Sequence, residues 1–356
     1  MRSARSTLPT GDCLSVIRFG SSIPYSGILA RIADCCYIRG VMKALVFTAP
    51  SVVELCTVDE PSPDAGEIVL EVATAGICGS ELHGVRTPGF RTPPLVMGHE
   101  FAGTTSDGRR VAVNPIISCG RCDLCVRGRG HLCRDRAILG VHRPGGFAER
   151  VAVPRSALHD LPDGMSWTAA GLVEPVANAV HVWNLAGRPD GARVGVIGCG
   201  SIGLLCMRIA RAWGASFIAA ADTSEQRRAV AREEGADRTG PALEGEFDVI
   251  VDAVGLPVTH AASLTRLAPG GTAVWVGLAS PEGGFDATEL IRTEKRVLGS
   301  FGYTGEEFAQ AVEAAAEWDP GWVDTFPLTD GAAVFTGLMN GGAEPVKALL
   351  SPRSDR

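Results

Sequence analysis

The sequence predicts an α/β protein in two parts: a mostly-β catalytic domain and a doubly wound parallel-sheet domain that holds a dinucleotide. Three observations carry this. Gly198-Cys199-Gly200-Ser201-Ile202-Gly203 follows one apolar run and opens a helical pattern, and Asp222 ends the next apolar run. Cys78, His99 and Glu100 lie within one short span. Cys119, Cys122, Cys125 and Cys133 form a second, tighter group.

Composition bounds the rest. A chain of 356 residues has room for two domains of ordinary size, and 46% of it is hydrophobic. A formal net charge of −7 without a basic run argues against nucleic acid or a membrane surface as partner, and for a small molecule. No apolar stretch approaches the roughly 18 residues of a membrane span; Val194 to Ala210 is broken by Ser201 and Arg208. A cytoplasmic location is expected. Residues 1–41 stand apart, with Arg2, Arg5, Arg18, Arg31 and Arg39, many serines and few acids. Their composition is like that of a transit peptide but shows no amphipathic repeat, and their apolar stretches are too short for a secretory signal. Met42 opens a natural-looking start, so residues 1–41 are expected to be a misassigned start or a disordered tail.

In chain order, Lys43 to Thr48, Val52 to Val58 and Glu67 to Ala73 read as strands between Pro- and Gly-containing turns. The third delivers the chain to Cys78. Thiolate, neutral imidazole and carboxylate are the donors zinc accepts, and a catalytic zinc uses three and keeps a position open. Cys78, His99 and Glu100 supply one of each; Ser80 and His83 stand where a proton can be carried away. Arg86 to Pro94 is a polar loop, Phe101 to Gly103 a strand, and Asp107-Gly108 a hairpin turn before Arg109 to Val113. The four cysteines that follow suit a closed tetrahedral S₄ zinc, a structural site. A [4Fe–4S] cluster is the main rival, but its fourth Cys follows sooner and precedes Pro, whereas Arg134 follows Cys133. Disulfides fit an exported chain better. Gly145 to Val153 returns as strand, and Ser166 caps a helix through Ala170. Glu174 starts the next helix with Pro175 in its first turn. Glu174 is read equally as a second carboxylate near the metal and as an acid favoured by the helix dipole.

The glycine motif follows the Arg193 to Ile197 run, and Asp222 lies 22 residues after Gly200. That context is the dinucleotide fingerprint: glycines admit the pyrophosphate to a helix N-terminus, and the acid takes the ribose hydroxyls. Gly198, Gly200, Ser201, Ile202, Gly203 and Asp222 are therefore candidate cofactor residues; Cys199 is a small turn residue. Two charges ~4 Å apart repel by about 4 kcal/mol at an effective dielectric of 20, so Asp222 favours NAD over the 2′-phosphate of NADP, with Arg227 offsetting part of this. Phe247 to Asp252, Thr272 to Gly277 and Arg296 to Ser300 read as strands, and Val258 to Leu267 as a helix. Val254, Gly255, Val276 and Gly277 then lie at the carboxyl edge, beside the cofactor. Thr304 to Glu307 is a capping box opening a helix to Trp318. The Asp330 to Met339 helix and the Lys347 to Leu350 strand are expected to return to the first domain. Arg86, Arg91, His142 and Tyr303 are read either as pocket lining or, for the arginines, as solvated surface.

Two zinc-type sites followed by a dinucleotide fold closely resemble the zinc-dependent medium-chain dehydrogenase/reductase family. The motifs that carry this are Gly-Ile-Cys78-Gly-Ser80-Glu81-Leu-His83, Gly98-His99-Glu100, the four-Cys lobe, Glu174-Pro175 and Gly198-x-Gly200-x-x-Gly203, covering Met42 to about Leu350. The sorbitol- and threonine-dehydrogenase branch is the most similar, through Gly-His-Glu and Glu-Pro-Val-Ala-Asn-Ala-Val-His. The resemblance implies a GroES-like catalytic domain (residues 42–177 and 302–356) and a Rossmann coenzyme domain (178–301). It further implies a catalytic zinc on Cys78, His99 and either Glu100 or Glu174, and a structural zinc on the four cysteines. Its reaction would be hydride transfer from a secondary alcohol to NAD, in a homodimer or homotetramer. Ser80, His83 and Glu174 are the catalytic candidates. Glu81 stands where the family usually has an Asp that orients the zinc-bound His. The stretch Thr104 to Arg110 is shorter than in the family. A zinc-independent reductase on the same fold and a non-catalytic NAD-binding regulator are the alternatives; neither needs Cys78, His99, Glu100, Ser80 and His83 together.

Overall fold

A computed structural model describes residues 40–87, 89–341 and 345–352. The expectation for residues 1–41 falls outside the described residues except for Gly40 and Val41, and Val41 already opens the first strand, Val41–Ala49. It pairs antiparallel with Val52–Asp59 along its length.

The strand that organises the first half is Glu67–Gly76. Glu67 to Val69 are half-buried, Leu70 is covered and Glu71 open, whereas Val72 to Gly76 are buried without interruption. An alternation reading therefore stops at Ala73, short of the part that lies in the middle of the sheet. There Gly76 is paired with Glu100 on one side and with Leu349 on the other. The sheet runs Leu158–Asp160, Arg110–Val113, Glu100–Thr105, Glu67–Gly76, Lys347–Ser351, Val323–Pro327, and Arg150–Pro154 also pairs with Glu67–Gly76. The C-terminal strand thus returns to the first sheet, as expected. Val323–Pro327 was not foreseen: only polar or half-covered residues line this edge strand, so it carries no apolar pattern.

The second sheet has six strands, all parallel. Numbered by chain order within this sheet, the strands Arg193–Ile197, Phe217–Ala221, Arg238–Gly240, Phe247–Asp252, Leu267–Trp275 and Arg296–Gly299 lie as 3-2-1-4-5-6. That is the doubly wound order whose switch point, between the first and fourth strands, receives dinucleotides. Two boundaries differ from expectation. The helix closes as Pro257–Thr265, because Leu267 already belongs to the next strand. That strand starts ahead of the expected Thr272, takes in Pro269-Gly270-Gly271, and makes a register shift against Phe247–Asp252. It ends at Trp275, so Val276 and Gly277 form the turn beyond it rather than the strand end.

One buried cluster joins the two halves, with Ala102 and Ala112 from the first sheet, Val196 from the second, Leu204 from the helix Ser201–Ala212 packed on it, and Phe308 between. At its centre is the helix Val173–Ala186, which starts as Glu174-Pro175 predicted and is stopped by Gly187 in the left-handed region at φ 92°. Ten of its fourteen residues are buried, so it has little amphipathic character to read. The helix Gly305–Ala315 packs on it, opened by the expected Thr304/Glu307 capping box. Glu307 also accepts from His181 Nδ1 (2.8 Å) and Asn184 Nδ2 (2.9 Å), and the Tyr303 hydroxyl donates to Glu174 at 2.8 Å. Among the described residues no helix is long and apolar enough to cross a membrane.

Burial alone would raise the Glu307 carboxyl, but the bonds from His181, the Thr304 N–H and Asn184 outweigh it and hold it down to about 2. A folded value below the unfolded one, 4.5, gives stability that is present above the unfolded value and lost as pH falls towards the folded one. Glu307→Gln is therefore expected to lose about 2 kcal/mol at pH 7. The gap to wild type should narrow steadily in acid, between the unfolded and folded values, when urea midpoints of the two chains are compared.

Candidate active site

The first site is built on a short helix, Gly79–Gly84, that follows directly from the buried end of Glu67–Gly76. Cys78 caps it, and Ser80 and His83 stand three apart, hence on one face. Glu100 opens the neighbouring strand, Glu100–Thr105, whose register sets it opposite Gly76, and His99 immediately precedes it. One ligand atom each from Cys78, His99 and Glu100 lies within 4.8 Å of the others. The predicted triad is thus brought together.

Glu81 orders it. Its Oε1 accepts from the Gly98 N–H at 3.0 Å and lies 2.9 Å from His99 Nδ1, while its Oε2 accepts from the Cys78 N–H at 3.0 Å. The side chain is wholly buried. With Nδ1 engaged, Nε2 of His99 is left for the ligand cluster, the arrangement found around metal-bound imidazoles. The Glu side chain is therefore long enough to reach the imidazole, the contact expected of a shorter Asp at this position. Burial pulls the His99 imidazole down, yet Glu81 and the Cys78 thiol outweigh it and its pKa stands well above 6.5.

Two carboxylates flank this centre in different ways. Glu100 is buried and ion-paired with the buried Lys347, whose Nζ also donates to the Ile77 carbonyl at 3.0 Å. Glu174 stays outside the tight cluster: its Oε1 accepts from Tyr303 Oη at 2.8 Å and from Asn178 Nδ2 at 3.2 Å. Burial pushes the Glu174 carboxyl up to about 7. Ser80 is half-buried and His83 exposed. Of the other residues read as pocket lining, Tyr303 is buried against Glu174, Arg86 donates to the Met339 carbonyl at 2.5 Å, and His142 Nδ1 accepts from the Ile138 N–H at 3.0 Å. Arg91 is no solvated surface residue: it is 4% exposed.

In the cysteine lobe the sulfur separations are 3.5 Å (Cys122–Cys125), 3.8 Å (Cys122–Cys133) and 3.9 Å (Cys119–Cys125). A tetrahedral zinc with Zn–S of about 2.3 Å puts its sulfurs about 3.8 Å apart. All four Sγ atoms lie within 4.8 Å of one another. A [4Fe–4S] cluster would spread the thiolates over separate irons, and a disulfide needs about 2.05 Å; all four thiols are free. Backbone N–H groups of Arg121 and Cys122 pull the Cys119 thiol down to about 6, towards the thiolate a metal needs.

At the switch point the glycine turn has the expected form. Gly200 caps the helix Ser201–Ala212, and Ile202 lies in its first turn. A Cβ on Gly203 would stand 1.8 Å from the Gly198 carbonyl oxygen, so helix and strand meet too closely for any side chain. Val254 lies against Gly198, and Val276 and Gly277 donate their N–H groups to the Asp252 carbonyl at 3.0 Å. Asp222 follows the strand Phe217–Ala221, and its two oxygens accept from the Cys199 and Ser224 N–H groups, each at 2.8 Å. It therefore bolts the glycine turn to the next loop and keeps further lone pairs for a ligand. Arg227 lies exposed in the first turn of Glu225–Glu233; it is Arg228 that reaches the Asp222 carbonyl, at 2.5 Å.

Sequence reasoning missed Lys347, Asp252 and Arg228, and left Arg91 between pocket lining and solvated surface. Asp252 Oδ1 accepts from Val254 and Gly255 at 2.9 and 3.0 Å, a side-chain turn that Asp at a strand end makes often enough to have been a signal. Lys347 gave none: it meets Glu100 across 247 residues of chain.

Comparison with known proteins agrees with this geometry. The family described as alcohol dehydrogenase GroES-like domain matches residues 64–163, and the one described as zinc-binding dehydrogenase matches residues 201–317. An L-threonine 3-dehydrogenase of Streptomyces coelicolor is 33% identical over 82% of this chain and 92% of its own length. An L-galactonate-5-dehydrogenase of Escherichia coli K12 is 32% identical over 72% of this chain and 82% of its own. A crystal structure from Sinorhizobium meliloti 1021, of a zinc-binding dehydrogenase bound to NADP, superposes with a TM-score of 0.82 at 30% identity, covering 88% of this chain and 100% of that one.

Glu81→Gln tests the ordering role of Glu81. A carboxamide turns an NH₂ towards one of three donors that now find an acceptor, so a loss of about 2–3 kcal/mol in urea unfolding is expected. Glu71→Gln, on an exposed site, should stay within about 0.5 kcal/mol.

Proposed function

The chain belongs to the zinc-dependent medium-chain dehydrogenase/reductase family, and from this premise we propose that it oxidises a secondary alcohol, a polyol or amino alcohol, to the ketone with NAD. The observation that carries the reading is the meeting of Cys78, His99 and Glu100 within 4.8 Å, on a chain whose second sheet has the dinucleotide strand order. Cys78, His99 and Glu100 hold the catalytic zinc, with Glu174 the second carboxylate beside it. Cys119, Cys122, Cys125 and Cys133 hold a structural zinc. Zinc supplies the Lewis acidity that lowers a hydroxyl pKa, and NAD supplies the hydride acceptor. Ser80 Oγ takes the substrate's hydroxyl proton, and His83, on the same helix face and exposed, passes it to solvent. Glu81 keeps His99 in the tautomer that binds. Residues 42–177 and 302–356 form the catalytic unit and 178–301 the coenzyme unit. Free thiols throughout the described residues suit the reducing cytoplasm. The assembly is a homodimer or homotetramer.

The test combines metal analysis with NADH production on a panel of polyols, amino alcohols and simple secondary alcohols. Wild type is expected to carry two zinc ions and to turn over. Cys78→Ser should carry one, stay folded and lose turnover; Cys119→Ser should fold poorly, since metal binding and folding of such a lobe are coupled. Ser80→Ala should lose roughly 10²–10⁴-fold. A wild type with at most one zinc, or an active Cys78→Ser, would overturn the reading.

Cofactor choice follows from Asp222. A preference for NAD over NADP of about a hundredfold in kcat/KM, equivalent to roughly 2.7 kcal/mol, is expected. Asp222→Ser should shrink it by removing both ribose contact and repulsion. Equal use of both cofactors by wild type would refute the assignment.

A further inference from the structure

The loop between the two halves of the ligand set contains a buried cation that the reaction as proposed does not use. Arg91 is 4% exposed. Its Nη1 donates to the Ser80 carbonyl at 2.8 Å and its Nε to the Gly140 carbonyl at 3.3 Å, while Nη2 is buried with no partner among the described residues. Burial pulls the guanidinium pKa down, and Glu81 and Cys78 oppose this; an arginine remains charged under such pressure. Gly84 closes the space around it: a Cβ there would stand 2.0 Å from Arg91 Nη1.

A charge this deeply buried costs several kcal/mol unless opposite charge lies close. Here the opposing charge is that of Glu81, with the Cys78 sulfur beside it; Glu100 is already answered by Lys347. The fork of the guanidinium ties two pieces of backbone together. One is the first turn of Gly79–Gly84, which carries Ser80; the other is the Gly140 loop, which lies against Gly98 just before His99. We infer that Arg91 is a positioning residue of the alcohol site: its charge sustains the anionic ligand set that holds the metal, and its two-point grip fixes Ser80 relative to Cys78 and His99. The inference rests on the zinc-alcohol reading above.

Charge and grip are separable. Arg91→Met removes both, Arg91→Lys keeps the charge but not the fork, and Gly84→Ala keeps the arginine while pushing its Nη1 aside. The experiment is a chelator titration of zinc-loaded protein, read as zinc ions retained per chain, together with kcat and KM. In Arg91→Met the Cys78-site zinc should be lost at chelator concentrations roughly tenfold below wild type, the lower end for residues that support ligands, and kcat should fall about a hundredfold. Arg91→Lys and Gly84→Ala should retain zinc like wild type yet lose about tenfold in kcat, with KM nearly unchanged. An Arg91→Met chain that keeps both zinc and turnover would overturn the assignment. Should that variant not fold, Arg91→Lys decides alone: full kcat removes the grip, and early zinc loss removes the charge argument. A wild type holding a single zinc would instead overturn the alcohol-site reading, whatever Arg91 does.

Discussion

The Glu81 carboxylate is the constraint on which the site depends. It receives the Cys78 N–H, the Gly98 N–H and His99 Nδ1 in one buried spot. These donors come from two stretches that are separate in sequence, so the carboxylate sets the distance between a thiol and an imidazole by satisfying backbone groups on both sides. Buried N–H groups without acceptors are costly, so the arrangement has few alternatives. The sheet adds the third donor by register, because Glu100 is fixed opposite Gly76.

Around that point the buried charges form an alternating set. Glu81 and Glu100 stand against Arg91 and Lys347. Each cation reaches the site from a different place: Arg91 from the connecting loop and Lys347 from the returning strand Lys347–Ser351. Lys347 ties the ligand set to the first sheet's last strand, and Tyr303 and Glu307 tie Glu174 and its helix to the segment that leaves the second sheet. One buried cluster and one polar network thus join the two halves.

The parts legible in the sequence were those with local signatures. The glycine turn, the capping boxes, the cysteine run and the Cys-His-Glu span each lie within a few dozen residues and obey spacing rules set by backbone geometry. Strand edges were legible where faces alternate and blurred where both faces are buried, as at the end of Glu67–Gly76. They also blurred where Pro and Gly sit inside a strand, as in Leu267–Trp275. Contacts made by long polar side chains were not legible. Arg91 in a polar loop has the composition of a solvated residue, and only three-dimensional closure shows it buried. Lys347 is a strand residue whose partner lies at the far end of the chain.

That last contact has a consequence for the order of events during synthesis. Glu100 and Lys347 are 247 residues apart, and at ~5–20 residues per second a ribosome needs about 12–50 s to make that stretch. For that interval the ligand strand exists with its carboxylate unanswered, while the intervening parallel sheet is free to form first. The four cysteines need nothing from so far downstream and can gather early. The nascent chain is thus built to complete its two clusters at different times, the four cysteines as the chain emerges and the Glu100 pairing only after the last strand has come home.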